Sequence, residues 1–198
     1  DVELVDKLED KMQLLALFLT MAYEAKVNYQ DVFGQVRVWD TIIYNHLRSK
    51  NIVPPAMQES KTSDGYEGAY VKDPVVGFHD WICSFDLNSL YPHLIMQYNI
   101  SPETMVGFEP NRVNVENMLN EKSDLSDLDG RTITPNGAQF RIDKRGFLPE
   151  LMDTLYQERV VYKKKMIEAQ KMYQQTGDKK YEFEIAKNHN IQLARKIA

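Results

Sequence analysis

The sequence contains only one cysteine among its 198 residues, so no disulfide bond can form within the chain. Chains without disulfides are typical of reducing compartments such as the cytosol. The cysteine, Cys83, stands in a short apolar stretch between Ile82 and Phe85. Since a lone cysteine usually behaves as a small hydrophobic side chain, we expect Cys83 to lie in the core.

Long hydrophobic runs are also missing. The longest one, residues 14–21, is far shorter than the roughly 20 apolar residues that a membrane-spanning helix requires. We therefore expect no membrane partner for this stretch of protein. Apolar residues nevertheless make up 43% of the chain, which indicates a folded core rather than disorder.

An overall excess of basic charge is absent as well, because 24 Lys and Arg face 29 Asp and Glu, a net charge of −5. The charge is unevenly distributed, however. Residues 141–198 carry 13 basic and 8 acidic side chains, whereas the rest of the chain carries 11 basic and 21 acidic ones. This asymmetry indicates that the C-terminal part meets an anion, although a solvated basic helix face would give the same pattern.

Proline and glycine do not occur in residues 1–30, where Leu4, Leu8 and Leu15 recur at helical spacing. A second apolar stripe runs through residues 36–47. Both patterns predict helices. The following stretch changes character, because two consecutive prolines and the turn-rich residues 60–65 predict a boundary or a long loop.

The apolar residues 81–85, bounded upstream by Gly77, predict a buried strand. Asp86 follows directly and is the only carboxylate between Asp80 and Glu103. A lone acid at the end of an apolar run is costly to bury without a partner, and a divalent cation is one such partner. A plain helix cap is the alternative for Asp86, because aspartate is a favoured N-cap residue.

The C-terminal half predicts a hairpin and two helices. Residues 132–142 alternate around a Pro-Asn-Gly turn, which is typical of a β-hairpin. A long helix is expected from about residue 148 to 173, and a second, antiparallel helix from about residue 180 onward. The fold class is therefore α+β, with a small antiparallel sheet and an antiparallel two-helix hairpin, preceded by helices.

From Asp86 onward the sequence reads Asp-Leu-Asn-Ser-Leu-Tyr-Pro. This string closely resembles motif A of the family B DNA polymerases, whose pattern is Asp-x-x-Ser-Leu-Tyr-Pro. Its continuation through Thr104 is similar to the polymerases of T-even-type bacteriophages. The resemblance covers nearly all of the chain and is strongest over residues 81–104 and 146–166. It implies that the sheet is part of a polymerase palm and that the helical hairpin forms the fingers.

The resemblance also implies roles for the residues of motif A. Asp86 would be a catalytic carboxylate that binds Mg²⁺, and the backbone carbonyl of Leu87 would be a further ligand. Ser89 and the backbone N–H groups of Leu90 and Tyr91 would hold phosphate oxygens. Tyr91 would pack beneath the sugar and exclude a 2′-hydroxyl, the group that distinguishes the two kinds of nucleotide. An ordinary core tyrosine is the alternative for Tyr91.

Three basic residues further along match the family's binding site for the nucleotide triphosphate. Arg159 and Lys163 are four residues apart, so they share one face of the predicted helix. The resemblance implies that both, together with Lys196 at the start of motif B, bind the triphosphate tail. A guanidinium grips phosphate with two hydrogen bonds, whereas an ammonium acts as a point charge. A solvated basic face is the alternative for Arg159 and Lys163.

A shorter match precedes motif A by about 20 residues. Tyr66-Glu67-Gly68-Ala69 resembles the Tyr-x-Gly-Gly/Ala motif that the family carries between its exonuclease and polymerase modules. The resemblance implies that Tyr66 and Gly68 contact template DNA. A plain turn is the alternative.

The family's motif C, an Asp-Thr-Asp-type hairpin, is missing from this sequence. Because two-metal nucleotidyl transfer needs a second carboxylate, we expect that group to come from another segment. The sequence does not begin with Met and ends within a helical pattern, so we expect a fragment. We expect this fragment to be inactive alone, because Asp86 by itself cannot hold two metal ions. Residues 1–57 would link N-terminal regions to the palm, 58–147 would form a partial palm, and 148–198 the fingers hairpin.

The expected parent activity is DNA-directed DNA polymerisation. The implied partners are primer–template DNA, deoxynucleoside triphosphates, a sliding clamp and the remaining polymerase segments, namely the exonuclease, the motif C part of the palm and the thumb. The implied location is the cytoplasm of an infected bacterial host. Two alternatives stay open: a non-catalytic nucleic-acid-binding or assembly subunit that retains the fold, and a helical interaction domain whose motif match is accidental.

Overall fold

The computed structural model of the chain describes residues 1–54, 56 and 70–197. The fold is α+β, as the sequence predicts. In chain order the elements are α1 (Val2–Met12), α2 (Leu14–Ala25), a 3-10 helix (Tyr29–Phe33), α3 (Gln35–Ser49), α4 (Leu90–Tyr98), a 3-10 turn (Pro102–Thr104), β1 (Met105–Phe108), α5 (Val115–Leu119), β2 (Arg131–Ile133), β3 (Ala138–Arg141), α6 (Phe147–Thr176) and α7 (Lys180–Ile197).

The chain divides into two compact units. The first unit comprises residues 1–56 and 154–198, and the second comprises residues 57–153. The division falls inside helix α6, between Asp153 and Thr154. The two units are described separately below.

In the first unit, the helical pattern predicted for residues 1–30 forms two helices instead of one. The break is at Gln13, whose backbone is left-handed with φ 51° and ψ 40°. Glu9 reaches across the break, because its carboxylate accepts a hydrogen bond from the Leu15 N–H at 3.1 Å. A single left-handed residue ends a helix without proline or glycine, so the hydrophobic pattern alone could not show this break.

The core of the first unit lies between α2, α7 and the 3-10 helix after α2. The rings of Phe18 and Phe33 pack at a centroid distance of 5.0 Å. The stripe predicted over residues 36–47 forms α3, which buries Val38 and Leu47. The apolar residues of α1, by contrast, remain exposed. The buried cluster consists of Leu17, Met21, Ala22, Val32 and Ala194.

Helices α6 and α7 run antiparallel, as the sequence predicts. Next to the turn that joins them, the Tyr173 hydroxyl donates a hydrogen bond to the Glu182 carboxylate. Further from the turn, Arg195 Nε donates to Glu158 Oε2 at 2.7 Å. Residues close to the turn pair with each other, and residues far from the turn pair with each other, which is the pattern of two antiparallel helices.

The second unit contains a three-stranded antiparallel sheet with the strand order β1–β3–β2. The predicted hairpin is β2 and β3, with Thr132 opposite Phe140. Gly137 in its turn has φ +87°, and an added Cβ would lie 2.6 Å from the Glu109 carbonyl carbon. Glycine is required there on both counts, because a side chain would be strained and would clash with the backbone.

The predicted strand over residues 81–85 is wrong. None of these residues belongs to a strand, and Trp81 and Phe85 are 99% and 90% exposed. A strand persists only where a neighbour completes its backbone hydrogen bonds, and the sheet of the described residues consists of β1, β3 and β2. Cys83, expected in the core, is exposed for the same reason.

Within the described parts of the chain, no helix is long and apolar enough to cross a membrane.

Candidate functional site

The motif that begins at Asp86 lies on an irregular, exposed segment that leads into helix α4. Asp86 and Leu87 are both exposed and precede a turn at residues 88–89. A carboxylate in this position is accessible to a cation from solvent. Magnesium is commonly bound by one or two carboxylates, with waters and substrate phosphates completing its ligands, so an exposed Asp86 and the adjacent Leu87 carbonyl suit that ion.

The turn after Asp86 leads into the first turn of α4, whose first backbone N–H groups belong to Leu90 and Tyr91. Ser89 is the N-cap, with a left-handed backbone of φ 54°, and its side chain makes no capping hydrogen bond. Its carbonyl accepts from the His93 N–H at 3.1 Å, which closes the first helical turn. The N–H groups of Leu90 and Tyr91 have no partner within the helix, and Pro92 has no N–H. Such donors attract anionic oxygens.

The Tyr91 side chain lies at an apolar cleft within the second unit. The cleft has a volume of about 720 Å³, and Leu94, Tyr98 and Phe140 contribute to its wall. Tyr91 itself is 73% exposed. The reading of Tyr91 as an ordinary core side chain is therefore wrong, because its ring packs at the edge of a cleft rather than in the interior.

The three basic residues of the predicted triphosphate site lie in the first unit. Arg159 and Lys163 are on helix α6, one turn apart, and Lys196 is in the last turn of α7. Arg159 is partly exposed, whereas Lys163 and Lys196 are exposed. Because Glu158 and Arg195 are hydrogen-bonded, their chain neighbours Arg159 and Lys196 stand at the same end of the helical hairpin.

Arg195, next to Lys196, is the centre of an ion-pair cluster. It bridges Glu158 on α6 and Glu24 on α2, and its side chain is only 14% exposed. Partial burial works to lower the pKa of the Arg195 guanidinium, but hydrogen bonds to Glu24 and Glu158 outweigh it and hold the pKa above its ordinary value. Arg195 therefore fixes α7, which leaves Lys196 as the exposed cation of this pair.

The structure brings the motif A residues together on one segment of the second unit and the basic residues together at one end of the hairpin in the first unit. Tyr66 and Gly68, predicted to contact DNA, lie outside the described residues.

One pair of carboxylates was not considered in the sequence as a possible motif C. Asp127-Leu128-Asp129 has Asp-x-Asp spacing, although it lacks the threonine of motif C. Both aspartates lie in exposed turns before β2, and Asp127 is left-handed with φ 54°. They are not at the tip of a hairpin, as motif C would be. Among the described residues, no group of three or more His, Cys, Asp and Glu could hold a metal ion.

A second feature that sequence reasoning missed is a polar network around Asn99 and Glu103. Both side chains bind the segment at the start of helix α6, more than 40 residues further along the chain. Only the unusual polar string Asn-Ile-Ser-Pro-Glu-Thr after an apolar helix hinted at it. Its partners could not be identified, because contacts at this separation leave no local pattern.

Comparison with known proteins gives a consistent result. The family model described as DNA polymerase family B matches residues 31–182. A DNA-directed DNA polymerase of Escherichia phage RB69 is 35% identical over 174 residues, and one of Enterobacteria phage T4 is 34% identical over 169 residues. These matches cover 86% and 84% of this chain but only 19% and 18% of the relatives. DNA polymerase 1 of Pyrococcus abyssi is 35% identical over 112 residues, which is 56% of this chain and 12% of that protein.

Proposed function

Since the chain belongs to DNA polymerase family B, we propose that it forms part of the palm and fingers of a phage-type DNA-directed DNA polymerase. The complete enzyme would add deoxynucleotides to a primer 3′-hydroxyl on a DNA template and release pyrophosphate. The chain spans about a fifth of the length of its phage relatives, so it contributes one portion of that activity.

Asp86 and the Leu87 carbonyl would hold Mg²⁺ in the complete enzyme. The ion, as one of a pair, would neutralise the triphosphate and activate the attacking hydroxyl. The exposure of Asp86 supports this role, because the carboxylate is accessible to a cation. A second carboxylate from another segment would complete the pair, so this chain by itself would be inactive.

The chain's own donors would position the triphosphate. The N–H groups of Leu90 and Tyr91, with the Ser89 hydroxyl, would hold phosphate oxygens at the start of α4. Arg159 and Lys163 would bind the same anion from the fingers, a guanidinium by two hydrogen bonds and an ammonium as a point charge. Lys196, at the same end of the hairpin as Arg159, would add a third cation.

Tyr91 would select the sugar. Its exposed ring at the edge of the apolar cleft offers a flat surface on which a deoxyribose can pack. A 2′-hydroxyl would meet the ring, so ribonucleotides would be rejected. Tyr66 and Gly68 would contact the template strand.

The remaining assignments complete the proposal. Residues 1–57 would link N-terminal regions to the palm, residues 58–147 would form the partial palm, and residues 148–198 would form the fingers hairpin. Partners would be primer–template DNA, deoxynucleoside triphosphates, the exonuclease, the motif C part of the palm, the thumb and a sliding clamp. The enzyme would act in the cytoplasm of an infected bacterial host.

The observation that carries this proposal is the proximity in sequence, on one exposed segment, of Asp86 and the N–H groups at the start of α4. A carboxylate for a cation and N–H groups for an anion on one short segment suit a magnesium-bound phosphate. The cap residue of α4 is Ser89 and not Asp86, so the Asp86 carboxylate is not the cap of that helix.

The test uses a hybrid polymerase, in which this chain replaces the matching segment of the phage RB69 enzyme. Asp86→Asn should lower the rate of primer extension by roughly 1,000-fold, since metal ions contribute several kcal/mol to such transition states. Asp80→Asn, another exposed acid on the same segment, is the matched control and should leave the rate unchanged.

The phosphate sites are tested in the same enzyme. Arg159→Ala should raise KM for the nucleotide by about tenfold or more, as expected for losing a charge-assisted hydrogen bond. Lys164→Ala on the same helix is its control. Full extension activity in Asp86→Asn would instead support the non-catalytic subunit.

A further inference from the structure

The C-terminal end of α4 is joined to the sheet of the second unit by a side-chain hydrogen bond. Helices leave their last carbonyl groups without partners inside the helix. The last carbonyl of α4, that of Tyr98, accepts from the hydroxyl of Thr132 on β2 at 2.5 Å. The same hydroxyl lies 3.3 Å from the carbonyl oxygen of Phe140 on β3. One threonine therefore connects the end of the helix to two strands.

Asn99, the residue that follows α4, is held by three further hydrogen bonds. It is left-handed with φ 56° and only 7% exposed. Its Nδ2 donates to the carbonyls of Arg141 at 2.6 Å and Lys144 at 2.8 Å, and its Oδ1 accepts from the Gly146 N–H at 2.9 Å. A buried amide with these partners has one orientation, because any other would leave buried polar groups unpaired. We call Thr132 and Asn99 the anchor of α4.

The anchor lies beside the apolar cleft to which Tyr91 contributes, and all of its residues belong to the second unit. Tyr91 and Leu94 of α4 line the cleft from the helix, and Ala138 and Phe140 of β3 line it from the sheet. Because the Thr132 hydroxyl bond joins the helix to the sheet directly, the width of the cleft depends on that bond.

Tyr91 lies at the opposite end of α4 from the anchor. Eight residues separate Tyr91 from Asn99, which corresponds to about 12 Å along a helix. A tilt of about 10° at the anchor would therefore move Tyr91 by about 2 Å. Displacements of about 1 Å can already change rates by about 100-fold, so a small change in the position of α4 on the sheet would matter at Tyr91.

We propose that Asn99 and Thr132 are positioning residues that hold α4 on the sheet and thereby place the Tyr91 ring, so that they determine how strictly a 2′-hydroxyl is excluded. The inference rests on the proposed function, because it assumes that Tyr91 selects the sugar. Both residues act through the helix and not by contact with the nucleotide.

The test measures sugar discrimination in the hybrid polymerase, as the ratio of kcat/KM for a deoxynucleotide to kcat/KM for the matching ribonucleotide. A loss of active enzyme cancels in this ratio, so a purely structural role of the anchor would leave the ratio unchanged. Thr132→Val removes the hydroxyl and keeps a branched side chain, so the ratio should fall by about threefold. Thr132→Ser keeps the hydroxyl and should retain most of the discrimination.

Asn99→Ala removes three hydrogen bonds and should lower the ratio by about tenfold or more. Thr20→Val is the matched control. It removes a hydroxyl that donates to the Ala16 carbonyl at 2.7 Å within helix α2, so the ratio should not change.

A double-mutant cycle tests whether the anchor acts through Tyr91. The double variant Thr132→Val/Tyr91→Ala should have the sugar discrimination of Tyr91→Ala alone. Effects of the two substitutions that multiply would overturn the proposal. Unchanged discrimination in both Thr132→Val and Asn99→Ala would also overturn it, while the role of Tyr91 would stand if Tyr91→Ala lowers the ratio. Unchanged discrimination in Tyr91→Ala would instead overturn the proposed sugar selection, and the positioning role with it.

Discussion

Two neighbouring stretches of the second unit both lie in the part of the chain that the family model matches, and they differ in structure. In residues 99–104 the side chains of Asn99, Ser101 and Thr104 are buried and make hydrogen bonds inside the unit. Residues 81–87 are exposed throughout, form no strand and include Asp86, the aspartate of the motif A pattern. A motif thus identifies the chemistry of a segment, whereas its conformation depends on what packs against it.

Exposed aromatic residues make the difference between these two stretches clearer. Phe78, Trp81 and Phe85 present large apolar surfaces to solvent within one short segment. Large exposed apolar side chains grouped in this way are typical of interaction sites. We expect this segment to be covered in the hybrid polymerase, and the following predictions test which stretches depend on such cover.

The largest stability effect is expected at Gly146. Gly146→Ala places a Cβ 2.5 Å from the Ser101 Cβ, so the backbone or the Ser101 side chain must shift. Overpacking at such a site should lower the free energy of unfolding by about 3 kcal/mol, as measured by urea denaturation. Gly34→Ala is the control, because its added Cβ meets ordinary contacts at 3.7 Å or more. Equal losses of stability in both variants would show that the contact between Gly146 and Ser101 is not tightly packed.

A smaller effect on stability is expected at Arg195, whose side chain is mostly buried, whereas its neighbour Lys196 is exposed. Arg195→Met removes the hydrogen bonds to Glu24 and Glu158 but keeps an apolar stem. Since both carboxylates retain some contact with water, we expect a loss of about 1–2 kcal/mol in urea. Lys196→Met should change stability little while raising nucleotide KM in the hybrid. If Lys196→Met lowered the free energy of unfolding as much as Arg195→Met, the assignment of Arg195 to stability and of Lys196 to nucleotide binding would be contradicted.

The smallest effect is expected in the motif segment. Phe85→Ser should change the unfolding free energy of this chain by less than about 0.5 kcal/mol, because the ring is 90% exposed. In the hybrid polymerase the same change should lower the melting temperature, since there the ring is expected to be covered. An equal effect in both settings would mean that nothing covers the segment.

The sequence predicted elements whose causes are local. The stripes of α3, α6 and α7 and the turn chemistry of the β2–β3 hairpin depend on neighbours in sequence, and the structure contains all of them. The strand over residues 81–85 was predicted wrongly because a strand requires a partner that local pattern cannot supply. The break at Gln13 was missed since it uses neither proline nor glycine.

The candidate site also combines features that the sequence predicts with features that depend on distant residues. The motif at Asp86 and the spacing of Arg159 and Lys163 are readable in sequence, and they name a chemistry. The polar network around Asn99 was not readable, because its partners lie more than 40 residues away. The ion pairs of Arg195 were not readable either, because its carboxylate partners lie on two other helices.

The most direct test of the central claim replaces the carboxylate oxygens of Asp86, the proposed metal ligand, by sulfur. In the hybrid polymerase, Asp86→Cys should lower primer extension in Mg²⁺ by roughly 1,000-fold. Cd²⁺ prefers thiolate ligands. Adding it should raise the extension rate of the Asp86→Cys variant by a factor at least about tenfold larger than the factor by which it changes the rate of the unsubstituted hybrid under the same conditions. Asp80→Cys should behave as the unsubstituted hybrid in both metals. A rate unaffected in Mg²⁺, or a loss that Cd²⁺ does not relieve, would contradict the assignment of Asp86 as a metal ligand.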